Sequence, residues 1–205
     1  MAAHEQPVRQ RAARLPPGAP EGLVYRPDLL DEDEERRLLA LMDEIDLQEV
    51  RMHGVAAHRT VAHFGHTYDY DTWRLVPADP LPASLARLRD RCGELAGVPS
   101  HQLAQALVTR YPPGASIGWH RDAPAFGPTI VGVSLLSDCG MLFRREIAGL
   151  RQLHRLELTR RSAYVLAGAA RSSWQHRIPA TPGLRYSVTF RTVRAAQRQD
   201  RVGAG

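Results

Sequence analysis

The sequence has only two cysteines and no long apolar segment, and both features narrow the classes of protein that it can encode. It also has no lysine, which a bias in the coding sequence would explain without any function. No run of about 18 apolar residues occurs, so we expect no membrane-spanning helix. The first residues also lack the apolar segment of a signal peptide. Cys92 and Cys139 stand far apart without a metal-binding spacing, which argues against a disulfide scaffold and a thiolate metal site. Together these absences predict a protein of the reducing cytoplasm.

Charge is divided unevenly along the 205 residues, a length that suits one well-filled core. Residues 1–100 contain 12 Arg against 17 acidic side chains, and residues 101–205 contain 15 Arg against 5. The formal charge is therefore −5 in the first part and +10 in the second. A basic second half favours a polyanionic partner such as a nucleic acid, although a basic surface that only keeps the protein soluble accounts for the charge equally well. We expect the protein to be a monomer.

The periodicity of apolar residues predicts two helices followed by a β-rich region. Residues 29–45 have an apolar stripe at helical spacing, and acidic residues crowd the first turns, where the helix dipole favours them. A second helix is predicted from an N-cap at Ser84 to a stop near Gly97. The aromatic segment 60–75 predicts an extended hairpin. Seven short strands follow: 103–111, 129–136, 140–144, 153–158, 162–167, 174–178 and 184–193. Strands without intervening helices predict an α+β protein with an antiparallel barrel or sandwich as its core.

One short motif in the β-rich region has the composition of a metal site. In Trp119-His120-Arg121-Asp122, the histidine and the aspartate are two positions apart, and on a strand such residues face the same side. His176, on a later predicted strand, supplies a second imidazole. Two histidines and one carboxylate form the facial triad that binds Fe(II) and leaves positions open for a 2-oxo acid and O2. Because the chain has nine histidines, ordinary polar roles for His120 and His176 are the alternative.

The last predicted strand carries charged and polar side chains on a face that should be buried. The sequence RYSVTFR at 185–191 alternates, so that two arginines and two hydroxyl groups share one face: Arg185, Ser187, Thr189 and Arg191. Burying a guanidinium group is costly unless it meets an anion. A dicarboxylate such as 2-oxoglutarate would pair with both arginines through charge-assisted hydrogen bonds. A simply solvated face is the alternative.

These blocks, in this order, resemble the AlkB family of nucleic-acid dioxygenases. The resemblance covers about residues 60–193 and includes the sequence TRYPPG at 109–114, the H-x-D motif, His176 and the pattern R-x-S-x-T-x-R at 185–191. It implies that the iron ligands are His120, Asp122 and His176. It implies that Arg185 pairs with the distal carboxylate of 2-oxoglutarate and Arg191 with its C1 carboxylate. Further hydrogen bonds to the co-substrate are implied for Tyr111, Ser187 and Thr109.

The same resemblance implies a fold and a reaction. The fold is a double-stranded β-helix, or jelly roll, with helices and a nucleotide-recognition lid before it. We expect one dioxygenase domain at 23–195, with the lid at 60–75 and the jelly-roll core at 103–193, between flexible tails at 1–22 and 196–205. The implied cofactors are Fe(II), 2-oxoglutarate and O2. Conversion of 2-oxoglutarate to succinate and carbon dioxide would accompany hydroxylation of an alkyl group on a damaged DNA or RNA base, and the group would then leave as an aldehyde.

Three positions depart from the best-known bacterial members of that family. Thr109 and Ser187 stand where those members have Asn, and both keep a hydrogen-bonding group. Pro124 stands where they have an acidic residue near the substrate base, so the resemblance does not imply a base preference.

The aromatic hairpin supplies candidates for contacts with the substrate. An enzyme that oxidises a base must take it out of the stack and hold it against a flat side chain. Alternation groups Phe64, His66, Tyr68 and Tyr70 on one face. We predict a core position for Phe64 and base contacts from His66, Tyr68, Tyr70 and Trp73. The alternative is an apolar plug that joins the hairpin to the core.

Other functions stay open at this point. The pattern R-x-S-x-T-x-R, with Phe64-Gly65 and R-x-x-W-x-H at 171–176, is more similar to the branch that contains the tRNA wobble-uridine hydroxylase of animals. Hydroxylation of a tRNA base, or of a protein side chain, with the same cofactors is therefore an alternative. An alternative from another class is a non-catalytic nucleic-acid-binding module with a degenerate metal site. The intact triad and the two arginines argue against that module.

Overall fold

The computed structural model describes residues 12–52, 55–69, 72 and 74–194. Within these residues the strands are β1 Leu23–Arg26, β2 Gln48–Met52, β3 Val55–Phe64, β4 His66–Asp69, β5 Arg74–Pro77, β6 Gln105–Tyr111, β7 Ile117–His120, β8 Phe126–Leu135, β9 Cys139–Ile147, β10 Leu150–Leu158, β11 Ala163–Leu166, β12 Gln175–Ile178 and β13 Arg185–Val193. The α-helices are α1 Glu32–Glu44, α2 Ala83–Ala96 and α3 Gly168–Ser172, and a 3₁₀ turn spans Ser100–Gln102. All seven strands predicted from residue 103 onward are present, with shifted ends.

Two antiparallel sheets form the body of the protein. The larger sheet has the order β1-β11-β8-β13-β6-β3-β2, and the smaller has the order β10-β9-β12-β7. Strands β4 and β5 form a separate two-stranded sheet. Apolar side chains from the two main sheets pack together in one cluster that includes Ile130, Phe143 and Leu156. The two sheets therefore face each other as a jelly roll, and the predicted fold class is confirmed.

A second apolar cluster covers the other face of the larger sheet. Helices α1 and α2 pack there, and the cluster includes Leu38 and Met42 of α1 with Val188 and Phe190 of β13. The apolar face of β13 thus meets the helices, while its polar face meets the smaller sheet. The alternation predicted for 185–191 is confirmed, because both faces of β13 are buried, each against a different layer.

A close contact between strands explains one glycine of the larger sheet. Gly132 of β8 pairs with Tyr164 of β11, and a Cβ at position 132 would lie 2.3 Å from Cζ of that tyrosine. No larger residue fits without moving the ring, so glycine is required where the tyrosine crosses the sheet.

Both predicted helices exist, but each start was placed wrongly. Helix α1 begins at Glu32 and not at 29, because Asp31 is the N-cap and forms a capping box with Glu34. Helix α2 has Pro82 as its N-cap and not Ser84, whose hydroxyl instead accepts a hydrogen bond from Arg87. The predicted stop at residue 97 is confirmed, since the glycine there adopts the left-handed conformation of a helix C-cap.

The predicted hairpin at 60–75 is only partly correct. Residues 60–64 belong to β3, which pairs with β6 in the larger sheet, and the separate hairpin starts at His66. Gly65 turns the chain between them with a φ of 75°, and a Cβ there would lie 2.1 Å from the carbonyl oxygen of Ala104.

This turn at residue 65 ends the alternation on which the shared aromatic face was predicted. Phe64 lies in the helix-side cluster, as expected, whereas Tyr68 packs outside that cluster against Phe126. The prediction that these two rings share one face is therefore wrong. The expectation that no helix interrupts the strands after residue 103 is also wrong, because α3 separates β11 from β12.

The predicted tails are described only in part. Residues 1–11 and 195–205 lie outside the described chain. Within the predicted tail at 1–22, Ala13 donates a backbone hydrogen bond to Tyr25, and Leu15 packs against the cluster between the sheets. None of the helices among the described residues is long and apolar enough to cross a membrane. Cys92 and Cys139 are both buried and unpaired.

Candidate metal centre and co-substrate pocket

Three side chains converge at one end of the smaller sheet. His120 and His176 are cross-strand partners on β7 and β12, and their ring centroids are 4.3 Å apart. Asp122 Oδ2 lies 3.6 Å from Nε2 of His176. One ligand atom from each of the three residues lies within 4.8 Å of the others. The structure thus brings the predicted ligands together in a cluster that can bind a single metal ion.

Asp122 reaches this cluster from a loop and not from a strand. Strand β7 ends at His120, so the prediction that the two residues share a strand face is wrong. Arg171 of α3 holds the loop instead. Its guanidinium donates hydrogen bonds of 3.1 or 3.2 Å to four backbone carbonyl groups, those of Asp122, Ala123, Phe126 and Gly127. A cation from another element therefore sets the backbone that carries the carboxylate.

The protonation states of the cluster suit metal binding. Nδ1 of His120 donates to the Gly118 carbonyl at 2.9 Å, because a carbonyl only accepts, and this hydrogen bond leaves Nε2 as the ring nitrogen that can contact a metal. Burial, together with the neighbouring His120, lowers the pKa of His176 to about 3, so this ring is neutral at physiological pH. Burial by itself would raise the pKa of Asp122, but Arg191 and the two imidazoles hold that pKa below its ordinary value. Neutral imidazoles and a charged carboxylate are the forms that bind metals.

Arg191 links the cluster to the interior of the larger sheet. Its Nε donates to Asp122 Oδ1 at 2.7 Å, and its Nη1 donates to Gln105 Oε1 at 2.9 Å. Gln105 Nε2 lies 3.5 Å from Nδ1 of His63 on β3. The Phe126 ring covers the guanidinium, with 4.7 Å between Cζ and the ring centroid. The arginine expected to bind a carboxylate of 2-oxoglutarate therefore also orients the carboxylate of the metal cluster.

Arg185, on the same face of β13, is a buried cation with unused donors. It is 1% exposed, its Nε donates to Ser134 Oγ at 3.0 Å, and its Cζ lies 5.1 Å from the centroid of the Tyr111 ring. Its Nη1 is buried and has no hydrogen-bond partner among the described residues. None of the ion pairs in that part of the chain includes it. Such a group is stable in an interior when it meets an anion.

The other predicted co-substrate residues lie beside Arg185 on the polar face that β6 and β13 share. Tyr111 pairs with Arg185 across β6 and β13, and Thr109 pairs with Ser187. Ser187 is buried and lies between the two arginines along β13, and Thr109 is buried beside it on β6. The structure thus places all five predicted co-substrate residues on one face of two neighbouring strands, and their individual roles stay predictions.

These residues fit an Fe(II) ion and a 2-oxo dicarboxylate. Two imidazole nitrogens and one carboxylate are the donor set of non-haem iron oxygenases. The buried Nη1 of Arg185 lacks an acceptor among the described residues, and a carboxylate would satisfy it. The polar face of β13 therefore has the metal ligand Asp122 beside Arg191 at one end and the unused donor of Arg185 at the other.

Tyr68, one of the residues expected to contact a base, lies close to the metal cluster. It is 7% exposed, and its ring centroid is 6.0 Å from that of Phe126, which itself covers Arg191. The side chain is therefore part of the wall beside the site and not a ring displayed on the surface. Its contact with a base stays a prediction.

The other candidate base-binding residues are less informative. His66 is half-buried, and its Nδ1 lies 3.3 Å from the carbonyl oxygen of Ala104. Tyr70 and Trp73 lie outside the described residues. Of the lid predicted at 60–75, the structure thus describes residues 60–69, 72, 74 and 75.

Sequence reasoning missed three residues of the site. Gln105 and Ser134 are polar and buried, and each pairs in register with a residue on the polar face of β13. Alternation along β6 would have found Gln105, because it shares a face with Thr109. Arg171 was noted only in the resemblance to a family pattern. No periodic signal in the sequence places it against the loop that carries Asp122.

We expect Arg171→Gln to weaken metal binding about 10- to 100-fold, the range typical of residues that support metal ligands. The loop at 122–127 would lose most of its carbonyl hydrogen bonds, so the Asp122 carboxylate would no longer be held in place. Anaerobic titration with Co(II), followed by absorbance, measures the affinity. Arg151→Gln on β10 removes an exposed arginine and should bind Co(II) like the parent. Parent-like affinity in Arg171→Gln, with an unchanged Tm, would show that the loop holds its shape without this residue.

Comparison with known proteins places this geometry in a family. The model of the 2OG-Fe(II) oxygenase superfamily matches residues 22–191. The chain is 30% identical over 168 residues to tRNA (carboxymethyluridine(34)-5-O)-methyltransferase ALKBH8 of Macaca fascicularis, covering 80% of this chain and 25% of that protein. It is 31% identical over 150 residues to the alpha-ketoglutarate-dependent dioxygenase AlkB of Escherichia coli (strain K12), covering 63% of this chain and 67% of that protein.

Among solved structures, that of OsALKBH1 superposes with a TM-score of 0.68 at 14% identity, over 89% of this chain and 100% of that one. At this identity the likeness shows the fold alone. The chain spans about a quarter of the length of the ALKBH8 methyltransferases that it matches. The family match, by contrast, covers most of this chain and includes the His-Asp-His cluster. The chain therefore belongs to the 2OG-Fe(II) oxygenase superfamily and, within it, to the AlkB family of dioxygenases, which use Fe(II), 2-oxoglutarate and O2.

Proposed function

We propose that the protein oxidatively dealkylates damaged bases in DNA or RNA. In this proposal His120, Asp122 and His176 hold Fe(II), while Arg185 and Arg191 hold the two carboxylates of 2-oxoglutarate. The observation that carries the proposal is the arrangement of two buried arginines beside three metal-binding side chains. Arg191 contacts one of those ligands directly, and Arg185 has a donor with no acceptor among the described residues. A divalent cation and a dicarboxylate together satisfy this set.

Bound Fe(II) supplies oxygen activation, which is coupled to the conversion of 2-oxoglutarate into succinate and carbon dioxide. The protein's own residues orient the reactants and exclude water. Arg185 and Tyr111 hold the distal end of the co-substrate, and Arg191 holds the end near the metal. Phe126 covers Arg191 and Tyr68 packs against Phe126, so water is kept from that side of the site. A hydroxylated carbon attached to a base nitrogen is unstable and leaves as an aldehyde, which restores the base.

Nucleic acid as the substrate is supported by charge and by the nature of the relatives. Residues 101–205, which include the whole smaller sheet, carry 15 Arg against 5 acidic residues. Phosphate groups attract such a surface. One relative is named as an alkylated DNA repair protein, and another is named for the modification of tRNA. Both the charge and these names favour a polynucleotide over a neutral peptide.

We expect succinate formation to depend on a lesion in the oligonucleotide. The test uses protein purified anaerobically and loaded with Fe(II), with methylated or etheno-adducted DNA and RNA as substrates. A methylated strand should give succinate and formaldehyde in equal amounts, because one hydroxylation releases one methyl group. An etheno-adducted strand should give one glyoxal per succinate, because oxidation of the double bond followed by hydrolysis releases both carbons together. Unmodified strands of the same sequence serve as the control and should give only slow background turnover. If histone peptides stimulate turnover and no modified strand does, the oxygenase chemistry stands and the nucleic-acid substrate is wrong.

Hydroxylation of a tRNA base is a second candidate, favoured by the 30% identity to a tRNA-modifying enzyme over 80% of this chain. The same assay separates the two reactions. A tRNA hydroxylase would form succinate without aldehyde, and mass spectrometry of the digested tRNA would find a nucleoside heavier by one oxygen atom. Equal amounts of succinate and aldehyde would instead support dealkylation.

A further inference from the structure

The smaller sheet has an aromatic and cationic outer face directly behind the metal cluster. The rings of His120 and His176 meet on the inner face, so the residues next to them along the chain, Trp119 on β7 and Arg177 on β12, face outward. Arg144 joins them from β9, the strand beside β12, and its guanidinium lies over the Trp119 ring. Three adjacent strands therefore contribute to one patch.

Within this patch both guanidinium groups lie over the indole ring of Trp119. Cζ of Arg144 is 4.5 Å from the centroid of the Trp119 ring, and Cζ of Arg177 is 5.1 Å from it. Arg144 Nε also donates to Gln175 Oε1 at 2.8 Å. Stacking on an aromatic ring restricts a guanidinium group and leaves its in-plane donors available. We call Trp119, Arg144, Gln175 and Arg177 the Trp119 cluster.

Neither arginine of the Trp119 cluster is neutralised within the described chain. The ion pairs found there include neither Arg144 nor Arg177. Arg177 Nε is buried and lacks a hydrogen-bond partner in the same residues. Two cations held against one ring repel each other, and an anionic partner relieves that repulsion. Their half-buried side chains still reach solvent.

An exposed apolar side chain extends the same face. Leu153 of β10 is the register partner of Arg144, and 68% of its surface is exposed. Sites for single-stranded nucleic acids combine cationic groups, which bind the backbone, with flat or apolar groups, which contact sugars and bases. The outer face of the smaller sheet has both components side by side.

We propose that the Trp119 cluster binds the phosphate backbone of a single-stranded nucleic acid, with Leu153 in contact with the adjacent sugar or base. The inference rests on the proposed function, because it takes the substrate to be a nucleic acid. Strand β7 is an edge of the smaller sheet, and the loop that follows it carries the exposed Arg121 and then Asp122. A strand bound on the outer face can pass around this edge and present one base to the metal cluster.

The test measures binding of an unmodified, fluorescently labelled single-stranded oligonucleotide by anisotropy at several salt concentrations. In Arg144→Gln/Arg177→Gln, the slope of log affinity against log salt should become less steep by about 1.4, because each phosphate contact in a single strand contributes about 0.7. Affinity at low salt should fall about tenfold or more. Arg37→Gln/Arg87→Gln removes the same charge from exposed positions on α1 and α2, and should keep the parent's slope and affinity.

A charge-conserving variant separates stacking from charge. Arg144→Lys/Arg177→Lys should keep the parent's salt slope but bind more weakly, because an ammonium group does not lie flat on the indole or form a bidentate pair with phosphate. Parent-like affinity in this variant would overturn the role of the indole in arranging the cations.

The possible outcomes distinguish this surface from the proposed reaction. If Arg144→Gln/Arg177→Gln had the salt slope and affinity of the parent, the proposal that the Trp119 cluster binds nucleic acid would be wrong. Lesion-dependent succinate formation would still support the proposed reaction. If no modified strand stimulates succinate formation, but the unmodified strand binds with the reduced slope in that variant, the surface stands and the reaction is wrong. If Arg37→Gln/Arg87→Gln lost as much affinity as Arg144→Gln/Arg177→Gln, the Trp119 cluster would not be the binding surface, since only the total charge of the protein would matter. Competition by polyglutamate at equal charge concentration would overturn the nucleic-acid partner in favour of an acidic protein.

Discussion

Replacing His176 by alanine is expected to abolish succinate formation and to weaken Fe(II) binding by more than about 100-fold. Changes in residues that only support metal ligands cost about 10- to 100-fold in affinity, so losing a ligand costs more. Without His176, only His120 and Asp122 would remain as ligands, and one oxygen of Asp122 already accepts a hydrogen bond from Arg191. Equilibrium dialysis under anaerobic conditions measures the affinity, and succinate formation with a modified oligonucleotide measures the activity.

The chain offers a matched control for the loss of a histidine ring. His154 packs against the same phenylalanine, Phe143, with 6.1 Å between ring centroids, compared with 6.2 Å for His176. His154→Ala should therefore remove a comparable packing contact and still bind Fe(II). Thermal unfolding of both variants shows whether the fold persists. Full activity in His176→Ala would contradict the assignment of this residue as a ligand.

Arg185→Leu is expected to weaken 2-oxoglutarate binding by about 100-fold or more. The distal carboxylate would be left buried without its cation, which costs about 3–5 kcal/mol, and about 1.4 kcal/mol corresponds to a factor of ten. Arg185→Lys should give an intermediate loss, because an ammonium group replaces the planar fork with a point charge. Anaerobic calorimetry in the presence of the metal measures each affinity. Iron binding should remain, because the described contacts of Arg185 do not include a metal-cluster residue.

A co-substrate analogue separates loss of the ion pair from damage to the pocket. 2-Oxobutanoate keeps the 2-oxo acid but lacks the distal carboxylate, so its affinity should be nearly the same in the parent and in Arg185→Leu. Equal weakening of both compounds would indicate a distorted pocket. If 2-oxoglutarate bound to Arg185→Leu as it binds to the parent, the distal carboxylate would have to meet another group.

Some features of the site follow from local sequence alone. The faces of β13 could be predicted because alternation has a period of two residues and needs no knowledge of neighbouring strands. This period put Arg185 and Arg191 on the buried polar face and Val188 on the apolar face, and the structure has both faces buried. The acidic start of α1 was visible for the same reason, since a helix dipole and an N-cap act within one turn.

Other expectations failed where a single residue or a distant partner decides the conformation. The left-handed turn at Gly65 separates Phe64 from Tyr68, and alternation cannot be read across such a turn. Asp122 reaches the metal cluster from a loop, so its proximity to His120 was predicted for the wrong reason. The role of Arg171 was missed because it donates to the carbonyl groups of a loop that lies far from it along the chain.

The sequence by itself determined the side chains that can bind iron and a dicarboxylate, the polar face of the last strand and the β-rich class of the fold, since residue chemistry and short periodicities are local properties. The tertiary structure alone decided how these parts meet. Register between β7 and β12 brings two histidine rings to 4.3 Å, and four carbonyl bonds to Arg171 hold the loop of Asp122. Both depend on contacts between residues that are distant in sequence, and such contacts form only in the folded chain.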